Sequence, residues 1–178
     1  MQIQQAQADV RRVYKGGAVG AIVSAVVWGI ASATSAWATP AAAMAVLFLG
    51  GMLIFPVASL ALQIAGGPGA LPKGHPSIGL AMQSAFTVPI GLLLALALGA
   101  IDGRLFFPAA AVIVGAHYLT FITLYGMREY AILAGALVLI GTSALFVVAE
   151  FRDYVGWSCV LVFILAAPIL HRAGMRDE

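Results

Sequence analysis

The sequence predicts an all-α, polytopic integral membrane protein, built as a bundle of six transmembrane helices. Of its 178 residues, 62% are hydrophobic and only 9% are charged. A soluble domain carries about 25% charged residues, because its surface faces water. The mean hydropathy is +1.03, and six apolar stretches are each long enough to cross the hydrocarbon, which takes about 20 residues in a helix. Lipid is therefore the expected solvent for much of the surface.

The six stretches are continuously apolar and lack the period-two alternation of a transmembrane β-strand, so we expect helices. Residues that favour turns separate them, including Thr39-Pro40, a glycine- and proline-rich connection at 66–76, Asp102-Gly103 and Arg152-Asp153. The turn at 126–129 is the tightest. The predicted spans are residues 16–38, 41–65, 77–100, 105–126, 130–149 and 154–171.

The basic residues predict the orientation, because short loops rich in Lys and Arg remain in the cytoplasm. With a cytoplasmic N-terminus, only Arg104 and Arg152 fall outside, whereas seven basic residues fall inside: Arg11, Arg12, Lys15, Lys73, Arg128, Arg172 and Arg176. We therefore expect a cell (inner) membrane protein with both termini in the cytoplasm. Its parts are a polar N-terminal segment (1–15), which could form a short amphipathic surface helix, a six-helix domain (16–171) and a tail (172–178).

His117 is the most informative polar residue within the predicted spans. It lies about 13 Å from the cytoplasmic end of its helix, and ionisable groups at such depth commonly serve function. A proton or ligand site and a neutral imidazole held by a Ser, Gln or carbonyl explain it equally well. Aromatic and basic residues continue its helix face, and two glutamines lie in the inner half of other spans. The predicted ligand-binding residues are His117, Tyr118, Tyr125, Gln63, Gln83 and Arg128.

The other polar residues favour structural roles. The glutamines could instead join neighbouring helices, and Ser and Thr side chains commonly bond within their own helix. On the first span, Ser24, Trp28, Ser32 and Ser35 share one face. At the outer surface we expect charged residues to pair across the loops: Asp102, Arg104, Glu150, Arg152 and Asp153. The single cysteine, Cys159, is expected to be a small apolar residue.

Several kinds of site are not expected. The three histidines, at positions 75, 117 and 171, lack the spacing of metal ligands, and no sequence motif indicates a catalytic residue or a cofactor. A net charge of +2 is too small to indicate a nucleic-acid partner. The expected partners are the lipid bilayer, a small solute and further copies of the chain, because six short helices enclose little volume.

The expected function is that of a small transporter or channel-like protein that binds a solute in an inward-facing cavity. An accessory or structural subunit is one alternative, since stripes of small residues could pack against a partner. A membrane enzyme acting on a lipid or quinone is another. For that role only His117 and the carboxylates at the membrane boundary are available.

Short motifs along the chain are similar to those of a known family. They are Gly51-Met52-Leu53-Ile54-Phe55-Pro56 in the second span, His75-Pro76 before the third, and Gly115-Ala116-His117-Tyr118 with Leu124-Tyr125-Gly126 in the fourth. Through them the chain resembles a family of small, uncharacterised bacterial multi-pass membrane proteins, from its first span to its C-terminus. The resemblance implies a multi-pass bacterial membrane protein and supplies no activity or catalytic residue.

Overall fold

The computed structural model describes residues 2–176, which form helices and turns without a strand. The helices are α1 (Ile3–Tyr14), α2 (Ala18–Trp37), α3 (Pro40–Ile64), α4 (Ser77–Ile101), α5 (Phe106–Tyr125), α6 (Glu129–Phe146) and α7 (Val155–Gly174). Short 3-10 turns lie at Lys15–Gly17, Gly103–Leu105 and Ala149–Tyr154. Six of the helical segments in this range are long and apolar enough to cross a membrane. The predicted fold class is confirmed, and these segments indicate a membrane protein.

The helices end close to the predicted turns, where local chemistry stops them. The Thr39 hydroxyl accepts a hydrogen bond from the Ala42 N–H at 3.1 Å, and Pro40 occupies the first position of α3. Gly126 ends α5 in the left-handed conformation, at φ 67°. Helix α6 ends at Phe146, earlier than predicted, because Arg152 donates to two of its last carbonyls at 3.1 and 3.2 Å.

The helices pack as a closed set of neighbours. Helix α2 packs most extensively on α3 and α7, and α5 packs most extensively on α6 and α4, whereas α3 and α4 share a smaller interface. Glycines bring α5 and α6 close together: a Cβ added at Gly115 would lie 3.0 Å from the Ala134 oxygen, and one at Gly141 would lie 2.5 Å from the Pro108 oxygen. The bundle therefore consists of two groups, α2–α3–α7 and α4–α5–α6.

Helix α1 does not continue into α2 but covers one end of the bundle. Its apolar side is buried at Ala6, Val10 and Val13. Its polar side reaches the end of α5, where Gln7 donates to the Thr123 carbonyl and Arg11 to the Tyr125 carbonyl, both at 2.7 Å. We call this end, which also carries the end of α7, the terminal face. The opposite end, with the turns at 102–105 and 147–154, is the distal face.

Candidate functional site

His117 lies on α5 and joins it to α4. Its Nδ1 is 2.8 Å from the hydroxyl oxygen of Ser84, a buried residue. The imidazole also meets the rings of Tyr118 and Phe121 edge-on, with centroid distances of 5.3 and 4.7 Å. The sequence leaves two explanations for His117 open, a proton or ligand site and a neutral imidazole held by a neighbour. The structure provides the hydrogen-bond partner that the second explanation requires. The same contacts place an ionisable group beside a group of aromatic rings.

The structure separates the six predicted ligand-binding residues into two sets. His117, Tyr118 and Tyr125 come together around Phe121, and both tyrosines are buried. Three side chains lie at the surface instead: Gln63 at the end of α3, Gln83 on α4 and Arg128 before α6. None of the six lines the cavity or the groove described below.

A line of aromatic rings runs through the bundle and crosses the boundary between its two groups of helices. Phe107 and Trp28 have centroids 6.0 Å apart, Trp28 and Phe163 6.2 Å, Phe163 and Tyr118 5.9 Å, and Tyr118 and Tyr130 6.0 Å. Phe107 is near the distal start of α5, and Tyr130 is near the terminal start of α6. We call these five rings the aromatic column.

Hydroxyl groups accompany the aromatic column along its length. The Ser32 hydroxyl donates to the Trp28 carbonyl at 2.8 Å, and Ser24, one helical turn before Trp28 on α2, is buried. At the terminal face, the Tyr130 hydroxyl donates to the Gly16 carbonyl at 2.8 Å, which ties α6 to the turn between α1 and α2. The column is therefore closed by tyrosines and by the chain segment that covers them.

A cavity of about 450 Å³ opens at the distal face, where the aromatic column begins. Four of its lining residues are charged: the Arg104 Nε lies 3.1 Å from the Asp153 carboxylate, and the Arg152 Nη1 lies 4.0 Å from the Asp102 carboxylate. These contacts join the two distal turns and confirm the predicted pairing for four of the five boundary residues, whereas Glu150 forms no ion pair among the described residues. The lining, which we call the distal cavity, also includes Ser32, Ser35, Pro40, Phe107, Gly156 and Trp157.

Some residues of the distal cavity were predicted from the sequence, but the sequence did not predict that they lie together. The shared face of Ser32 and Ser35 on α2 is confirmed, as is the position of the charges at the boundary. Phe107 and Trp157 carry no sequence signal that sets them apart from other membrane aromatics. The cavity exists because α2, α5 and α7 bring these distant residues together, which helix periodicity alone does not show.

The described residues give little support for a metal centre. Between residues 2 and 176, no three His, Cys, Asp or Glu side chains come together in a way that could hold a metal ion. His75, which precedes α4, has its Nε2 3.6 Å from the Asp9 carboxylate on α1, and its Nδ1 accepts from the Ser77 N–H at 3.2 Å. Cys159 is fully buried.

Comparison with known proteins gives a family without a known activity. Neither the search of curated proteins nor the search of solved structures gave a match. The model of a family of unknown function, DUF7010, matches residues 3–172, nearly the whole chain. The chain belongs to this family of unknown function.

Proposed function

We propose that this protein binds a small charged solute in the distal cavity and passes it across the membrane along the aromatic column. The observation that carries the proposal is the asymmetry of the bundle. A charged cavity opens at one end, and buried rings followed by α1 close the other end. A transporter that exposes its site to one side at a time needs such an arrangement.

The charges of the cavity favour a solute that carries both signs. Two arginines and two aspartates balance each other, and the side chains of Arg104 and Asp153 are 48% and 58% exposed. Exposed ion pairs contribute only about 0–1 kcal/mol, so this pair can separate at little cost. The carboxylate of a solute can then pair with Arg104, and its ammonium group can pair with Asp153. A volume of about 450 Å³ lies within the usual size range of small-molecule sites, roughly 300–1,000 Å³.

The terminal half of the pathway would contain three of the predicted ligand-binding residues. Tyr118 is part of the column, and His117 and Tyr125 lie beside it, where imidazole and hydroxyl groups can contact a solute on its way. Gln63, Gln83 and Arg128 lie outside the column in this structure. They would contact the solute only in a second state, open at the terminal face, in which the two helix groups have moved relative to each other.

A thermal-shift screen of detergent-purified protein tests the binding step. Zwitterionic solutes of amino-acid size should raise the melting temperature, because a ligand at 100 times its Kd stabilises the folded state by about 2.7 kcal/mol. Arg104→Gln should abolish the shift. Arg172→Gln is the matched control, because it removes the same charge from the exposed end of α7 at the terminal face and should leave the shift unchanged.

Uptake of the stabilising solute into proteoliposomes then tests transport. Accumulation in vesicles with the wild-type protein, lost with Arg104→Gln and kept with Arg172→Gln, is the expected result. Binding without uptake would contradict the transport step and favour a binding or accessory role. A screen in which no charged solute stabilises a well-folded sample would contradict the proposal as a whole.

A further inference from the structure

We propose that the groove between α2 and α7 is a specific binding site for an anionic phospholipid. The lipid phosphate would lie against Lys15 and His171 at the terminal face, and one acyl chain would follow the groove toward the middle of the membrane. This site is separate from the distal cavity and does not depend on the proposed transport activity.

The groove has the shape of an acyl-chain site. It measures about 670 Å³, and apart from its two basic residues it is lined by apolar side chains and a proline. Alanines form part of it, at positions 18, 25 and 167, and larger side chains such as Ile22 and Ile164 border it. From His171 to Val160 it follows eleven residues of α7, about 16 Å at 1.5 Å per residue. This is about half of a hydrocarbon core of roughly 30 Å, the depth of one leaflet.

The structure also shows which basic residue near the first span can bind a phosphate. Arg11 donates to the carbonyl at the end of α5, and Arg12 pairs with Asp9 on its own helix. Lys15 lines the groove, and no hydrogen bond or ion pair of its side chain is found among residues 2–176. No such partner of the His171 side chain is found among these residues either, and His171 lies about 16 Å along α7 from Val160 at the other end of the groove.

The backbone holds Lys15 at the mouth of the groove. Lys15, Gly16 and Gly17 all have positive φ, at 50°, 67° and 85°, and this turn redirects the chain from α1 into α2. A Cβ at Gly16 would collide with the Leu170 carbonyl, and one at Gly174 would lie 2.7 Å from the Gly16 Cα. The turn is thus packed backbone against backbone on the end of α7, so the backbone positions of Lys15 and His171 are fixed relative to each other.

Charge and shape together favour an anionic phospholipid over other occupants. A zwitterionic lipid fits the apolar groove, but its own cationic headgroup offsets the phosphate charge that would pair with Lys15, and a free phosphate leaves the groove unused. A basic residue near the membrane surface raises the affinity for anionic lipid about fivefold. A lipid with phosphate and a net negative charge matches both parts of the site.

Native mass spectrometry of the full chain in detergent, titrated with phosphatidylglycerol and separately with phosphatidylcholine, tests the proposal. The wild type should hold one phosphatidylglycerol at least fivefold more tightly than phosphatidylcholine. Lys15→Asn should remove most of that preference, and Asn tolerates the positive φ at this position. Lys73→Asn is the control, because it removes the same charge from the connection between α3 and α4 and should keep the preference.

A second variant tests the groove itself. Ala25→Phe fills the groove and should weaken both lipids, while the melting temperature without lipid shows whether the bundle remains folded. If Ala25→Phe does not fold, Ile22→Ala, which removes a bordering side chain, should weaken both lipids in its place. Equal affinity of the wild type for the two lipids, or equal losses in Lys15→Asn and Lys73→Asn, would overturn the proposal. Competition by water-soluble glycerol phosphate at the same concentration would also overturn it, since the site would then bind an anion and not a lipid.

Discussion

At the scale of single residues, two buried side chains of this bundle, Ser84 and Tyr130, form hydrogen bonds with other segments of the chain. Ser84 and His117 join α4 to α5, and the Tyr130 hydroxyl reaches the Gly16 carbonyl. Lipid supplies no hydrogen bonds to replace such partners. Losing one partner therefore costs more than the small net energy of the bond itself, because the remaining group stays buried and unpaired.

Tyr130→Phe should lower the stability of the protein by about 1–3 kcal/mol, because it leaves the Gly16 carbonyl without its donor. The measurement is the unfolding midpoint in a detergent denaturation series. Tyr154→Phe is the matched control, since Tyr154 is 62% exposed at the distal turn and should tolerate the change. Equal unfolding midpoints for the two variants would mean that the Tyr130 hydrogen bond contributes nothing to the stability of the protein.

At the scale of the elements, helix contacts depend on where glycine permits a close approach. Gly141 on α6 faces the backbone of α5, with the Pro108 oxygen 2.5 Å and the Val112 nitrogen 3.0 Å from an added Cβ. Gly135, on the same helix, has no atom within 4 Å of an added Cβ. A small-residue motif in the sequence does not distinguish Gly141 from Gly135, whereas their surroundings in the fold do.

Gly141→Ala should destabilise the bundle by about 1–3 kcal/mol, because α5 and α6 must move apart to admit the methyl group. Gly135→Ala should be neutral or slightly stabilising, since Ala is favoured over Gly inside a helix by up to about 1 kcal/mol. Melting temperatures of the two variants, measured in the same detergent, check the difference. A larger loss in Gly135→Ala would refute the described α5–α6 interface.

The docking of α1 gives a further prediction at this scale. Arg11→Ala removes the bond to the Tyr125 carbonyl, so the backbone amides of residues 3–14 should exchange with deuterium severalfold faster. Arg12→Ala is its control on the same helix, because the partner of Arg12 is Asp9, also in α1. Similar exchange rates in both variants would show that packing of Val10 and its neighbours alone holds α1 in place.

At the scale of the whole molecule, the number of spans and their approximate ends were predictable from the sequence. Hydropathy and turn residues depend on local composition, and the structure places the helices within a few residues of the predicted limits. The aromatic column was not predictable, because Trp28, Phe107 and Phe163 lie on three helices far apart in sequence. The position of the charged cavity at the distal face depends on the same long-range packing, and periodicity within one helix contains no information about it.

Solute binding in the distal cavity requires that water reach the cavity from one side of the membrane. We would replace Cys159 by Ala and introduce one cysteine at a time: Ser35→Cys in the cavity, Ser24→Cys beside the closed column, and Ile30→Cys on the outward side of α2, where Ile30 is 53% exposed. A membrane-impermeant thiol reagent would be applied to right-side-out and inside-out vesicles. We predict rapid labelling of Ser35→Cys from the distal side only, and none at the other two positions. Protection of Ser35→Cys equal to that of Ile30→Cys would contradict an aqueous entrance at the distal face.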